Sequence, residues 1–233
     1  MSLRKIIPTS CGALDEQLGG GLLEGNTVLI YGEPETGKTT FAIQCAVNCA
    51  RMGYKTIFLD CDGTFFPRRM AQISGRDFNT LASQIILMRP DDFEQQTFAL
   101  ENLNQYISTK VGLVVVDTIT GLYRERLTES LRQTFTLNRE LNRQMAYLAQ
   151  MTKTRKVATL IASQVRSLML GVDDAVQPVA SRVLKFWADF VIRLDPTRSD
   201  QLVKARVRTN DGKRSGKPIF LKISKNGLHE YTK

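Results

Sequence analysis

The stretch Val28-Leu29-Ile30-Tyr31-Gly32-Glu33-Pro34-Glu35-Thr36-Gly37-Lys38-Thr39 decides the fold of this chain. Its last eight residues match the phosphate-binding pattern G-x-x-x-x-G-K-[ST] at every fixed position, directly after an apolar run. Polyphosphate must be wrapped by backbone N–H groups, and a glycine-containing turn lets the backbone approach closely enough. The motif therefore predicts a strand, a phosphate loop and a helix that together bind ATP with Mg²⁺.

The loop residues have distinct expected roles. Gly32 and Gly37 supply the turn, Lys38 reaches the β- and γ-phosphates, and the Thr39 hydroxyl is offered to Mg²⁺. A helix is predicted to begin near Lys38, because residues 41–50 are apolar and mostly good helix formers. The predicted nucleotide-binding residues of this segment are Gly32, Glu33, Pro34, Glu35, Thr36, Gly37, Lys38, Thr39 and Thr40.

Length and hydropathy favour one soluble domain. A chain of 233 residues with 42% hydrophobic residues suffices for one α/β domain and is short for two. No apolar run approaches the roughly 18 residues of a membrane span, and the first residues lack a signal-peptide core. We therefore expect a single domain over residues 1–233, a cytoplasmic location and no membrane partner.

The cysteine and histidine positions do not predict zinc. Cys11, Cys45, Cys49 and Cys61 show no pair-of-pairs spacing, and His229 is the single histidine. Cys45 and Cys49 are one helical turn apart, which favours two buried, inert thiols over a metal site or a disulfide.

The net charge of +9 is distributed unevenly. Residues 1–120 carry 10 Lys and Arg against 13 Asp and Glu, which gives −3, whereas residues 121–233 carry 22 against 10, which gives +12. The positive half follows the phosphate loop, so ATP alone does not account for it. It indicates a larger polyanion such as DNA or RNA; the alternative is the solvated basic surface of a heat-adapted protein.

Apolar runs alternate with helical segments, which predicts a mainly parallel, twisted sheet flanked by helices. A long helix is expected over about Thr128–Lys153, with Leu131, Phe135, Leu141, Met145 and Leu148 in the core. Near the C-terminus, short runs separated by turns predict antiparallel strands that extend the sheet. The predicted strands are residues 28–31, 56–60, 84–88, 113–117 and 157–163, followed by 202–208 and 219–223.

Polar residues at three predicted strand ends are the remaining site candidates. Asp117 ends an apolar strand and is expected to support Mg²⁺. Either Asp60 or Asp62 is expected to orient or deprotonate the attacking water, unless both only cap the following turn. Gln164, at the end of another strand, is expected to sense the γ-phosphate and to relay its loss to the next loop.

Five separated segments carry motifs of one family. Residues 60–69 (D-C-D-G-T-F-F-P-R-R) are similar to the pattern D-T-E-G-x-F-x-P-E-R, and Ser163-Gln164-Val165 stands where that family has N-Q-V. The other three are 9–21, with its Leu-Asp pair and Gly triplet, 113–124, and 177–180 with Trp187. Together they resemble the RecA/RadA recombinase superfamily over nearly the whole chain, most closely its archaeal RadB-type paralogues.

The resemblance implies a RecA-like P-loop ATPase core and a role for each matching residue. Lys38 and Thr39 bind phosphate and Mg²⁺, and Asp117 supports the metal. Arg69 lies against the adenine, Asp62 takes the water-activating position, and Gln164 senses the γ-phosphate. The segments after Tyr123 and Val165 face DNA, and their contact candidates are Arg124, Arg126, Arg166 and Arg182. Stacking of bases on Tyr123 or Phe65 is a further expectation, with a core position as the alternative.

The departures from the family pattern concern activity. Asp62 replaces a Glu, which shortens the side chain by one carbon–carbon bond, roughly 1.5 Å. A misplacement of about 1 Å can lower a rate on the order of a hundredfold, so we expect weak ATP hydrolysis. Ser163 replaces an Asn beside Gln164, and Arg68 replaces a Glu beside Arg69. The chain begins at the core, without an N-terminal DNA-binding domain or an F-x-x-A segment, which does not favour autonomous filaments.

The resemblance therefore implies an ATP- and DNA-binding accessory protein of homologous recombination and repair, with little or no strand exchange of its own. Its expected partners are DNA, single-stranded ahead of duplex, the main RadA-type recombinase, and further copies of itself. The alternatives are a KaiC-like signalling or motor ATPase that acts on a protein, and a small-molecule kinase. The first alternative usually has adjacent glutamates after the second core strand, which Asp60-Cys61-Asp62-Gly63 lacks.

Overall fold

The computed structural model describes residues 4–127, 130–167, 176–199, 201–209 and 216–231. Its strands are β1 (Ile6–Ile7), β2 (Leu22–Leu23), β3 (Thr27–Gly32), β4 (Lys55–Asp60), β5 (Ile85–Met88), β6 (Val111–Asp117), β7 (Ala158–Ser163), β8 (Val165–Ser167), β9 (Val176–Pro178), β10 (Phe190–Pro196), β11 (Leu202–Thr209), β12 (Ile219–Ser224) and β13 (Gly227–Glu230). Its α-helices are α1 (Gly12–Leu18), α2 (Lys38–Arg51), α3 (Pro67–Ser74), α4 (Phe78–Ala82), α5 (Phe93–Glu101), α6 (Gly121–Glu125), α7 (Leu131–Arg155) and α8 (Ser181–Trp187).

Nine strands form the central sheet, in the order β13-β12-β11-β10-β3-β7-β6-β4-β5. The six strands from β10 to β5 are parallel, with registers such as Tyr31 with Ser163 and Asp60 with Asp117. The carboxyl ends of parallel strands meet at one edge of a sheet. The phosphate loop and the polar ends of β4, β6 and β7 therefore share this edge, which we call the loop edge.

The C-terminal strands extend the sheet in antiparallel order, as predicted. β10 pairs with β11, β11 with β12, and β12 with β13. The last pair is a hairpin closed at residues 224–227, and Gly227 has a φ of +120°. Of the two turns expected between the C-terminal strands, residues 209–212 lie largely outside the described part of the chain, and residues 225–227 lie in the β12–β13 hairpin.

Helices cover both faces of the sheet. α2 fills one face, where Phe41 and Cys45 are buried with Phe58. α7 covers the other, where Leu141 and Met145 are buried against the strands. Cys45 and Cys49 are free and buried, as predicted, and burial is the main reason why the pKa of each thiol is raised. In the ranges that the structure describes, no helix is long and apolar enough to cross a membrane.

The core prediction for the long helix was wrong at Phe135, which is 68% exposed. α7 has 25 residues, which corresponds to a length of about 37 Å. A six-residue strand such as β3 spans about 20 Å. The first turns of the helix therefore extend past the sheet. Leu141, Met145 and Leu148 are completely buried, and the side chain of Leu131, the remaining residue of the predicted stripe, lies outside the described part of the chain.

The short helix that precedes β10 was not predicted. α8 ends at Trp187, and β10 begins at Phe190. Ala188 has an extended backbone, and Asp189 accepts a hydrogen bond from the Thr27 amide over 2.8 Å. A short, mainly apolar run does not by itself distinguish a helix from a buried strand, and the Asp189 contact lies at the boundary between the two elements.

Candidate nucleotide and nucleic-acid site

The phosphate loop encloses the lysine that the motif predicts. The Lys38 ammonium donates to the carbonyl oxygens of Gly32 and Glu33 over 2.9 and 2.7 Å. Its residue is 8% exposed, and burial lowers the pKa of Lys38, while Asp117, Asp62 and Glu33 act in the opposite direction. These two carbonyl oxygens thus hold the ammonium over the loop. When a nucleotide is bound, a phosphate oxygen would take their place as its hydrogen-bond partner.

The two motif glycines are required by close packing. A Cβ atom at Gly32 would lie 2.5 Å from the Leu194 carbonyl oxygen and 2.7 Å from Thr36 Oγ1. Gly37 has a φ of +90°, in the left-handed region. A side chain at position 32 would collide with neighbouring atoms, and a side chain at position 37 would strain the backbone, so both positions require glycine.

Asp117 is a buried carboxylate without a hydrogen-bond partner among the described residues. Burial raises the pKa of Asp117 to about 7; Asp62 and Asp60 add to the rise, and Thr39 and Lys38 oppose it. Carboxylate and hydroxyl oxygens are ligands that Mg²⁺ prefers, either directly or through water. An unpaired buried carboxylate beside Thr39 therefore fits a Mg²⁺–nucleotide complex.

The structure distinguishes the surroundings of the two aspartates at the end of β4, Asp60 and Asp62. Asp60 caps the following turn, since it accepts from the amides of Thr64 and Phe65 over 2.8 and 3.2 Å. Its carboxylate also pairs with Arg89 at 3.0 Å. The capping alternative is thus correct for Asp60, which leaves Asp62 as the candidate that faces the site.

Asp62 and Gln164 are directly hydrogen-bonded. Gln164 Nε2 donates to Asp62 Oδ2 over 2.9 Å, and the Thr118 hydroxyl donates to the same carboxylate over 3.0 Å. The side-chain carbonyl of Gln164 accepts from the guanidinium of Arg124. One hydrogen-bonded chain, Arg124–Gln164–Asp62, therefore joins the segment after Tyr123 to the predicted water-activating residue.

Sequence reasoning did not identify the residues that position this chain. Thr118 is joined to Asp117 by a cis peptide bond and orients Asp62, and a Cβ atom at Gly121 would collide with the Asp62 carboxylate. The Thr120 hydroxyl accepts from the backbone N–H of Gln164 over 3.3 Å and is hydrogen-bonded to the Ser163 hydroxyl over 3.2 Å. Thr118, Thr120 and Gly121 all lie within the four positions that follow Asp117. Their closeness to a predicted site residue is the feature of the sequence that could have identified them.

Arg69 lies between the phosphate-loop helix and the C-terminal hairpin. Its guanidinium donates to the carbonyl oxygens of Ser224 and Lys225 over 2.7 and 2.9 Å, and to Thr40 Oγ1 over 3.3 Å. Burial lowers the pKa of Arg69. The hairpin therefore fixes this side chain next to α2, and its contact with adenine stays a prediction.

The predicted DNA-contact residues differ in their surroundings. Arg124, Arg126 and Arg182 are exposed, and Arg126 forms an ion pair with Glu94. Arg166 lies in β8, next to Gln164, but its side chain is outside the described part of the chain.

The predicted base-stacking aromatics are not available on the surface. Tyr123 and Phe65 are 3% and 6% exposed. Each makes an edge-on ring contact, Tyr123 with Phe93 and Phe65 with Phe58. The core alternative is therefore correct for both residues.

Comparisons with known proteins agree with this geometry. The family model "ATPase: KaiC" matches residues 7–214. A "DNA repair and recombination protein RadB" of Methanobrevibacter smithii is 33% identical over 95% of this chain and 94% of its own. A protein of the same name from Methanococcus maripaludis is 29% identical over 92% of this chain and 96% of its own.

The fold is similar to that of a solved structure, titled "Crystal structure of the RadB recombinase", with a TM-score of 0.82. The two sequences are 26% identical, and the match covers 97% of this chain and 100% of the other. The similarity therefore extends through the antiparallel strands at the C-terminal end of the sheet.

Proposed function

Because this chain belongs to the RadB group of the RecA/RadA superfamily of KaiC-type ATPases, we propose that it is an ATP- and DNA-binding accessory protein of homologous recombination and DNA repair. It acts in the cytoplasm with the main RadA-type recombinase, hydrolyses ATP weakly and exchanges strands little or not at all. The observation that carries this proposal is the hydrogen-bonded chain Arg124–Gln164–Asp62 beside the phosphate loop.

The nucleotide is held by residues of the loop edge. Lys38 binds the terminal phosphates, and Thr39 with Asp117 holds Mg²⁺, which neutralises phosphate charge when it is bound. The buried, unpaired carboxylate of Asp117 supports this assignment. Asp62 accepts a proton from the attacking water or orients that water, because it is the one of the two aspartates at the end of β4 that is not used in the turn.

Gln164 couples the nucleotide to DNA. Its amide N–H is the donor that recognises the γ-phosphate, and in this structure that donor is bound to Asp62. When Gln164 turns toward the phosphate, it releases both the Asp62 carboxylate and the Arg124 guanidinium. Asp62 then becomes available to water, and Arg124 to a DNA phosphate.

The test is fluorescence anisotropy of labelled single-stranded and duplex DNA, with and without ATP and Mg²⁺, over a salt series. We expect an affinity that falls steeply with salt and falls further when Arg124 and Arg166 are replaced by Ala. The matched control replaces Arg76 and Arg198, which are exposed elsewhere, and removes the same charge. An equal loss in the control contradicts a specific contact, and no binding at low salt overturns the DNA assignment.

The family-model match favours one alternative, a KaiC-like ATPase switch that acts on a protein partner. This alternative predicts ATP binding without DNA binding in the same titration. An ATP-dependent change in limited proteolysis that DNA does not alter supports the switch. A change that DNA enhances supports the recombination function.

A further inference from the structure

The edge of the sheet opposite the loop edge carries a basic groove. It is an open cavity of about 750 Å³, where β3, β4, β6 and β7 begin. The cations that line it come from two distant segments, the N-terminal residues Arg4 and Lys5 and the end of α7. The latter contributes Lys153, Arg155 and Lys156.

These cations are not neutralised by the protein. Glu24 is the one carboxylate among the described residues that line the groove. None of the five cations forms an ion pair with a carboxylate in the described ranges. Like charges brought together repel one another, so the fold maintains this concentration at a cost in stability.

The C-terminus of α7 explains only part of the cluster. Lys153 and Arg155 lie in the last helical turn, where cations interact favourably with the helix dipole. Arg4 and Lys5 belong to another segment and have no such role. Lys5 is fixed there, since it donates to the carbonyl oxygens of Thr109 and Val111 over 3.1 and 3.4 Å, and it lies over the Tyr54 ring.

The groove and the loop edge are separate surfaces. β3 and β6 run from one to the other over six and seven residues, which corresponds to about 20 Å. A nucleic-acid segment at Arg124 therefore leaves the groove open to a second segment. Arg4, Lys153 and Lys156 are exposed, and Tyr54, the aromatic residue among the described lining, lies under the Lys5 ammonium. This lining suits phosphodiester contacts that do not depend on base sequence.

We propose that this groove is a second DNA-binding surface, which holds the phosphate backbone of one segment while the loop edge holds another. This inference rests on the proposed DNA-binding function and adds to it the ability to bridge two DNA molecules. Its ligand is the sugar–phosphate backbone of duplex DNA, which carries a dense and regular negative charge.

The test is a bridging assay with duplex DNA on beads and a second, fluorescent duplex in solution. The variant combines Arg4→Gln, Lys153→Gln, Arg155→Gln and Lys156→Asn; Asn suits the left-handed backbone at position 156, where φ is +52°. The control combines Arg76→Gln, Arg198→Gln, Lys204→Gln and Lys222→Gln, which removes the same charge outside the groove.

We expect the wild-type protein and the control to retain the second duplex on the beads. The groove variant should retain about tenfold less of it. The salt dependence of duplex binding should also fall in the groove variant, by about 0.9 in log–log slope for each lost phosphate contact. The effect of Arg124→Ala on single-strand binding should be the same in both backgrounds, because the two edges are separate.

Retention by the groove variant at the wild-type level overturns the proposal, since two associated copies that each hold one duplex at the loop edge would then explain bridging. A groove variant that bridges normally but no longer binds a polyglutamate peptide overturns it in favour of an acidic protein partner. If loop-edge binding persists in either case, only this inference fails. If the wild-type protein binds no DNA, the proposed function fails with it.

Discussion

At the residue scale, Asp62 is the carboxylate to which the proposed function assigns the attacking water. Its carboxylate accepts from Gln164 and Thr118, and the absence of a side chain at Gly121 leaves room for it. Asp60, two residues earlier, is used by the turn and by Arg89. Two carboxylates that look equivalent in the sequence thus have different surroundings in the fold, because their hydrogen-bond partners differ.

We predict that Asp62→Glu increases the rate of ATP hydrolysis. The longer side chain advances the carboxylate by roughly 1.5 Å, and an error of about 1 Å in position can cost on the order of a hundredfold in rate. We expect a gain of about ten- to a hundredfold in phosphate release under saturating ATP. Asp62→Asn, the matched control, should hydrolyse more slowly than wild type. A Glu variant no faster than wild type contradicts this explanation of weak hydrolysis.

A second prediction concerns the pH dependence that Asp117 creates in the metal-free protein. Burial raises the pKa of Asp117 from its ordinary 3.8 to about 7. Between these values the folded protein retains a proton that the unfolded chain has lost, so stability decreases as the pH rises from about 4 to about 7. The pKa difference corresponds to at most about 4 kcal/mol.

The measurement is urea unfolding in EDTA across this pH range, for wild type, Asp117→Asn and the exposed control Asp91→Asn. We expect Asp117→Asn to be more stable than wild type at pH 7.5 and to approach it near pH 4, because the amide does not ionise. Its binding of Mg²⁺ and ATP should be lost. A constant difference between wild type and Asp117→Asn at every pH contradicts the assignment.

At the element scale, the β12–β13 hairpin packs against α2 and holds Arg69. Gln44 of α2 exchanges two hydrogen bonds with the Leu228 backbone, at 2.7 and 3.0 Å. The hairpin carbonyls of Ser224 and Lys225 hold Arg69. An element from the end of the chain therefore packs on the helix that follows the phosphate loop.

We predict that Gly227→Ala weakens ATP binding. Gly227 has a φ of +120°, and a Cβ atom there collides with the Gln44 amide that anchors the hairpin. The control is Gly53→Ala, where φ is +81° and nothing lies within 4 Å of the added atom. Both substitutions introduce backbone strain of about 1–3 kcal/mol. Calorimetric titration should show a lower ATP affinity for Gly227→Ala and an unchanged affinity for Gly53→Ala. Equal affinities of the two variants would show that the hairpin does not contribute to ATP binding.

At the scale of the whole molecule, ligand sites follow from the direction of the strands. The parallel order places the phosphate loop, Asp62, Asp117 and Gln164 at one edge of the sheet, although Asp62 and Gln164 are about a hundred residues apart in sequence. The basic groove lies at the other edge.

We predict that Mg²⁺ and ATP stabilise the whole fold. A ligand at a hundred times its Kd adds about 2.7 kcal/mol to the free energy of unfolding. For a domain of this size we expect an increase of about 5–10 °C in Tm. Thermal unfolding with ATP should show this shift, and EDTA or the Lys38→Ala substitution should remove most of it. An equal shift in Lys38→Ala would place the nucleotide elsewhere.

Local patterns predicted much of the fold. The Gly-Lys-Thr motif identified the phosphate loop, because the tight turn of the loop requires glycine and the phosphates require a lysine at a fixed position. The apolar runs located the parallel strands and the C-terminal antiparallel strands, since burial on both faces of a sheet requires such runs. The exposure of Phe135 was not predictable in this way, because the periodicity of a helix does not show where the sheet beneath it ends.

The sequence by itself determined that this chain has a phosphate loop on a parallel sheet, a carboxylate at Asp117 and an excess of positive charge in its second half. Only the tertiary structure decided that Asp60 serves the turn, that Asp62 binds Gln164, and that Arg4 and Lys5 meet the end of α7. The physical reason is that backbone conformation and the pattern of burial depend largely on residues that are close in the sequence. Hydrogen bonds and charge clusters instead join side chains from distant segments, and only the packed sheet brings those segments together.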